Sequence, residues 1–326
     1  MRTAPAFWSH DGLLAGALSP LSAIGAALTA RRVARPGWNA PVPVICCGNA
    51  TVGGAGKTTL VLDLARRLSG QTVHILLRGH GGAARGVHRV APGDPASLVG
   101  DEALLLVQAA PTWVGADRAA SARAAIGAGA TMLLMDDGLQ NPTLAKTGSI
   151  LAIDGATGFG NGRVLPAGPL REPVAAAAAR CHAAVLIGPD ATDALGRLPS
   201  SLPVLRADLV QDPSIAALAG RTVLAFAGIA RPDKFFEPLR LAGAVLAATR
   251  PFPDHHPYTA AELDALLCQA RDRHAILVTT PKDAVRLPAA IRTQVTVIGV
   301  GLAWHEPEQI GRLLERMIAA DPAALH

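Results

Sequence analysis

The sequence predicts an α/β fold: a parallel-sheet domain, then a second, smaller α/β domain, with an apolar helical segment ahead of both. Three observations predict it. Short apolar runs alternate with stretches of helical period along the chain. A polar stretch containing Pro213, at Gln211–Gly220, divides those runs into two series. The length of 326 residues is long for one compact unit. The expected division is 1–35 for the apolar segment, 36–212 for the first domain and 213–326 for the second. Half the residues are apolar, enough for a sizeable core.

The N-terminal segment comes first. Residues 12–30 carry no charge. The run is at the short limit of the ~18–20 residues that span a bilayer, and Pro20 interrupts it. A cleaved signal peptide fits poorly, because only Arg2 is basic upstream and His10 and Asp11 precede the run. Ser19-Pro20 reads as an N-cap followed by proline at the first helical position. Leu21, Ile24 and Leu28 then share a face, and Arg31, Arg32 and Arg35 follow. Two settings suit this pattern: a helix lying on an anionic bilayer surface, or an amphipathic helix packed on its own domain.

Strands of the first series are expected at Val42–Cys47, Val73–Leu77, Met132–Met135, Ile150–Ile153, Ala184–Ile187 and Val204–Ala207. Those of the second are expected at Thr222–Ala227, Val245–Ala248, Ala275–Thr279 and Val295–Val300. Helices are expected at Lys57–Leu68, Asp101–Ala109, Arg118–Ala128, Ala260–Arg273 and Pro307–Ile318.

The net charge of +5 suits anionic partners such as nucleotides or phospholipid headgroups. Nucleic acid is disfavoured, since no basic run, stacking motif or zinc-finger spacing is present. Cys46, Cys47, Cys181 and Cys268 have neither metal-ligand nor CxxC spacing and read as reduced thiols.

The sharpest local signal comes directly after the first strand. GNATVGGAGKTT leads into the helical LVLDLARRL, giving strand, glycine-rich loop, Lys-Thr and helix. Backbone amides of such a loop, together with the helix N-terminus, cradle phosphates. The loop residues expected at the nucleotide are Thr51, Val52, Gly53, Gly54, Ala55, Gly56, Lys57 and Thr58. Lys57 would reach the β/γ-phosphates, and the Thr58 hydroxyl would ligate Mg²⁺. The usual spacing places glycine where this chain has Thr51. In TMLLMDDGLQN, four apolar residues deliver Asp136 and Asp137 to the carboxyl edge of the sheet, where a Walker-B-type carboxylate holds Mg²⁺. Taken alone, such a run is a plain strand exit; downstream of a phosphate loop the P-loop NTPase-like reading gains.

Together these segments resemble the lipid A 4'-kinases, also called tetraacyldisaccharide 4'-kinases. The resemblance runs through PLS and RR near the N-terminus, GNATVGGAGKT, LLRGHGG, VGDEALLL, ADR, DDGLQN, FGNGRVLPAGPLREP, GIARPDKFF, FPDHHPYT and TTPKDAVRL. It implies ATP-dependent phosphorylation of the 4'-hydroxyl of a tetraacylated glucosamine disaccharide 1-phosphate, giving lipid IVA. It also implies the cytoplasmic face of the inner membrane and an active site between two α/β/α domains. The chain departs from the family's usual residues at Leu77, His80, Thr59 and Asn141, which touches substrate positioning and leaves Lys57, Thr58 and the acidic residues in place.

By the same resemblance Asp101 looks like the catalytic aspartate and His255 like its histidine partner; Lys57, read from the phosphate loop, is the third catalytic group. A carboxylate beside a sugar hydroxyl accepts its proton, and an imidazole orients and tunes that carboxylate. Gly-Asp-Glu before an apolar helix is also an ordinary N-cap. Glu102, Asp136 and Asp137, with Thr58, are the expected Mg²⁺ ligands. Arg78, Arg118 and Arg171 are expected to hold the anionic substrate. The expected partners are ATP, Mg²⁺, the acyl disaccharide and a membrane surface, for a monomeric enzyme that does not bind nucleic acid. Other readings of a phosphate loop are a P-loop NTPase of cofactor maturation, a nucleotide-dependent switch, or a non-catalytic scaffold. A GTP switch is disfavoured because TPKD lacks the guanine-reading spacing.

Overall fold

The computed structural model describes residues 5–54 and 56–319. Nine strands form one sheet: β1 (Val44–Gly48), β2 (Val73–Leu77), β3 (His88–Arg89), β4 (Thr112–Val114), β5 (Met132–Asp136), β6 (Gly148–Asp154), β7 (Ala183–Ile187), β8 (Val204–Gln211) and β13 (Val300–Trp304). Their order is β13-β8-β7-β6-β1-β5-β2-β4-β3. The interior pairs are parallel, and only the edge pairs β13–β8 and β3–β4 are antiparallel. Parallel strands covered on both faces must be apolar throughout, and β1, β2, β5 and β7 are buried at every residue. One face packs against the helix Lys57–Arg67 and the helix Pro307–Ala319, the other against Arg118–Gly127 and Val174–Ala178.

Four further strands, β9 (Thr222–Ala227), β10 (Val245–Pro251), β11 (Ile276–Thr279) and β12 (Thr296–Val297), form a parallel sheet in the order β10-β9-β11-β12. It has its own core on both faces. The chain then returns. β13 pairs with β8, and Met317 of the last helix lies against Gly148 in β6. The expected second domain, 213–326, therefore shares its described C-terminal segment, 300–319, with the large sheet.

The N-terminal segment departs from expectation. One helix runs Leu13–Val33 with Pro20 inside it, capped at Gly12. Pro20 is exposed, and the Ser19 hydroxyl donates back to Ala15 O at 2.9 Å. Pro20 has no N–H for the carbonyl four residues back, at Gly16, and both residues are exposed, where water can serve that carbonyl. Ser19 is thus mid-helix and not an N-cap. Ser22 fixes the helix to the large sheet's loops, donating to Val164 O at 2.6 Å and accepting from Ala167 N at 3.1 Å.

Cys46 and Cys47 are buried in β1. Burial pushes both thiols up, Cys46 to about 11, so they are protonated core fillers.

Candidate active site

β1 and β5 are parallel neighbours, so their C-terminal ends open at the same sheet edge. After β1 the glycine-rich loop is tied down by Val52 N donating to Pro169 O at 2.8 Å and Arg171 N donating to Ala50 O at 2.7 Å. Gly53 (φ 112°) and Gly56 (φ 72°) adopt left-handed backbone that favours glycine. A Cβ on Gly56 would also come within 2.8 Å of Ile187 Cδ1. Gly56 caps the helix Lys57–Arg67 without a side-chain bond, which leaves its first amides free for an anion. Ala55 lies outside the described residues.

Lys57 is 9 % exposed. Its Nζ donates to Asn49 Oδ1 at 3.0 Å and Gly53 O at 3.2 Å, and lies 3.7 Å from Asp137 Oδ1. The ammonium is folded against its own loop. Asp137 has left-handed backbone (φ 53°) and takes a two-pronged grip from Arg171, at 2.7 and 2.9 Å. Burial opposes its charge, but Lys57 and Arg171 prevail and hold its carboxyl below the ordinary value.

Asp136 is the opposite case. It is buried, Thr58 Oγ1 lies 3.5 Å from its Oδ2, and its Oδ1 has no hydrogen-bond partner among the described residues. Burial, with the charges of Glu102 and Asp137 adding to it, pushes its carboxyl up to about 7. A buried, unsatisfied carboxylate oxygen beside a threonine hydroxyl is an oxygen donor set that a divalent cation would complete.

Asp101 begins the helix Asp101–Leu106, but Gly100 is the N-cap, and it carries no capping bond. The Asp101 side chain is engaged elsewhere. His255 Nδ1 meets its Oδ2 at 2.7 Å, and Arg286 Nε lies 3.2 Å from the same oxygen. The hydrogen bond to Asp101 raises the His255 pKa against its partial burial. His255 also has left-handed backbone (φ 59°), a local strain of the kind that clusters at functional sites. The helix Asp101–Leu106 packs against Pro281–Ala284 and against Lys57–Arg67, the helix that follows the glycine-rich loop, and Glu102, next to Asp101, acts on the Asp136 charge.

The structure thus gathers Lys57, Thr58, Asp136, Asp137 and Arg171 at one edge and joins Asp101 to His255. Glu102 is half-buried near Asp136. Arg78 is exposed at the exit of β2. Arg118 is 2 % exposed; its Nη1 donates to Gly115 O, and its Nε lacks a partner among the described residues. Sequence reasoning did not single out Asn49, Gln140 or Arg286. Gln140 Nε2 bonds Asn49 O at 3.0 Å and the buried Glu172 at 2.8 Å, bracing the loop from below. All three lie inside motif segments already noted, which was the available signal.

The family model described as tetraacyldisaccharide-1-P 4'-kinase matches residues 14–319. A tetraacyldisaccharide 4'-kinase from Gluconacetobacter diazotrophicus is 57 % identical over 317 residues, covering 96 % of this chain and 97 % of that one. Another from Rhodospirillum centenum is 54 % identical over 327 residues, covering 97 % of each. Among solved structures, LpxK from Aquifex aeolicus in complex with ATP superposes with a TM-score of 0.75 at 24 % identity, covering 94 % of this chain and all of that one. At that identity it speaks for the fold.

Proposed function

The chain belongs to the tetraacyldisaccharide-1-P 4'-kinase family, and from that premise we propose that it transfers the γ-phosphate of ATP to the 4'-hydroxyl of a tetraacylated glucosamine disaccharide 1-phosphate. The product is the lipid A precursor lipid IVA. The observation that carries this reading is the Asp101–His255 pair, its aspartate on a helix packed against the one that follows a glycine-rich loop whose neighbouring strand ends in Asp136-Asp137.

The chemistry comes from the residues. The P-loop amides of Gly53, Gly54 and Gly56 and the start of the helix Lys57–Arg67 bind the triphosphate, and Lys57 leaves its bonds to Asn49 and Gly53 for the phosphate oxygens. Magnesium, held by Thr58 and Asp136 with Glu102 and Asp137 close by, would neutralise the charge on those oxygens. Asp101 accepts the proton of the sugar hydroxyl as the new bond to phosphorus forms, and His255 orients it. No covalent enzyme intermediate is required. Arg78 and Arg171 supply positive charge for the anionic acceptor, whereas Arg118 is sealed and donates to Gly115 O.

The helix Leu13–Val33 would lie against the cytoplasmic face of the inner membrane. Leu13, Leu14, Leu21, Ile24 and Leu28 are all exposed, and the exposed Arg31, Arg32 and Arg35 follow for anionic headgroups. It is the one helix among the described residues long and apolar enough to cross a membrane. Residues 213–299 would serve as the closing half of the cleft in a monomeric enzyme.

The test uses ATP labelled at the γ-phosphate and the disaccharide dispersed in detergent. Label appearing in the lipid fraction is expected. Label released as inorganic phosphate regardless of lipid would favour an NTPase of cofactor maturation or a switch.

A further inference from the structure

Arg286 has no assigned part in nucleotide or acceptor binding, yet its side chain is only 6 % exposed and every face of its guanidinium is occupied. Nε lies 3.2 Å from Asp101 Oδ2 and donates to Lys282 O at 3.0 Å. Nη1 donates to His256 O at 3.0 Å; Nη2 donates to Gly228 O at 3.1 Å and lies 3.3 Å from Asp283 Oδ1. Asp283 is fully buried and is itself fixed by Tyr258 Oη (2.6 Å), Gly228 N (2.8 Å) and Thr280 Oγ1 (2.6 Å). Arg286 is thus clamped into the frame of the small sheet and reaches out to one atom of the large-sheet half.

That atom is the one His255 also holds. Both contacts fall on Asp101 Oδ2, and Oδ1 makes no hydrogen bond among the described residues. A carboxylate held by one oxygen has its other oxygen aimed by the same grip. His255 is 40 % exposed, whereas Arg286 is sealed, so the arginine is the fixed member of the grip. The guanidinium's hydrogen bonds go to three backbone carbonyls, which fix its plane and hold its charge between the Asp101 and Asp283 carboxylates; a lysine ammonium on a flexible stem has no such planar fork.

We propose that Arg286 is a positioning residue for phosphoryl transfer, locking Asp101 through Oδ2 so that Oδ1 faces the acceptor hydroxyl. The inference rests on the reading of Asp101 as proton acceptor. In the step it serves, the hydroxyl O–H bond breaks and its proton passes to Asp101 Oδ1. The hydroxyl oxygen bonds to the γ-phosphorus, and the bond from that phosphorus to the bridging oxygen breaks, its electron pair leaving on ADP.

A double-mutant cycle on the full chain tests it, with ATP and the disaccharide as substrates. Arg286→Gln should lower kcat by about 10- to 100-fold, the scale of a misplaced catalytic group, and leave the KM for ATP within about 2-fold. Arg286→Lys should recover part of the loss. In an Asp101→Asn background, adding Arg286→Gln should change kcat by less than about 3-fold, because the residue it aims is already disabled. Equal losses in both backgrounds would show that Arg286 acts independently of Asp101 and overturn the proposal. Full turnover by Arg286→Lys would overturn the requirement for a fork. Should Arg286→Gln not fold, Arg286→Lys with and without Asp101→Asn makes the same comparison. A wild-type protein that labels no lipid would instead refute the kinase reading itself.

Discussion

Cys47 lies directly opposite Asp136 in the parallel pairing of β1 with β5. A strand that opens into a glycine-rich loop and a strand that ends in two carboxylates therefore leave the sheet side by side. That register is what brings the proposed phosphate and cation groups to one edge.

Lys57→Ala should lower kcat by about 10²- to 10³-fold, the cost of removing one preorganised donor to developing charge. Lys57 also offsets Asp137, so the variant should raise the Asp137 pKa. Label transfer to the disaccharide at saturating ATP measures the first effect. Wild-type turnover would refute the P-loop assignment.

Asp136→Asn should raise the magnesium concentration needed for half-maximal turnover by roughly tenfold, the scale of losing a ligand or its close support. In the wild type that concentration should fall as pH rises through about 7, because the cation must displace the proton that burial retains on Asp136. Magnesium titrations of turnover at several pH values check both. A requirement unchanged by the substitution would place the ion elsewhere.

The His255 pKa is raised by its hydrogen bond to Asp101. The resulting stabilisation is complete below the unfolded value of about 6.5 and is lost as pH rises through the higher folded value. Asp101→Asn should bring the His255 titration, followed by NMR of the ring, back toward about 6.5. The stability gap between wild type and variant in denaturant should narrow with rising pH; a gap independent of pH would mean the pair does not titrate together.

Replacing Leu21, Ile24 and Leu28 together by Gln removes exposed apolar surface from the helix Leu13–Val33 without opening the core. At about 25 cal/mol per Å² of apolar area buried, loss of three such side chains should weaken binding to anionic vesicles at least tenfold. Thermal stability should stay within about 0.5 kcal/mol, as for surface changes. Flotation with vesicles decides; undiminished binding would move the membrane contact elsewhere.

Much of the large sheet was legible because buried parallel strands are continuous apolar runs. Val73–Leu77 and Thr222–Ala227 match the expected ranges. β3 and β4 were not read, since two and three residues are too few to show a period. The helix Asp233–Leu241 was hidden by Pro238 within it, and the true start of the first helix by Pro20. At the site, the phosphate loop and Asp136-Asp137 are local and could be read from residue types. The Asp101–His255 contact came only from family resemblance, because nothing in either local segment points to the other. Arg286 lay in a motif but had no visible partner until the chain was folded.

The pairing of β13 with β8 has a consequence for biogenesis. As the chain leaves the ribosome, residues 44–211 emerge with one margin of their sheet still bare, and the four-stranded unit can assemble before that margin is sealed. Release of the last helix, Pro307–Ala319, then covers β6. A ribosome stalled near residue 299 would present an unpaired strand edge and uncovered apolar surface, the state most exposed to aggregation and to chaperone capture.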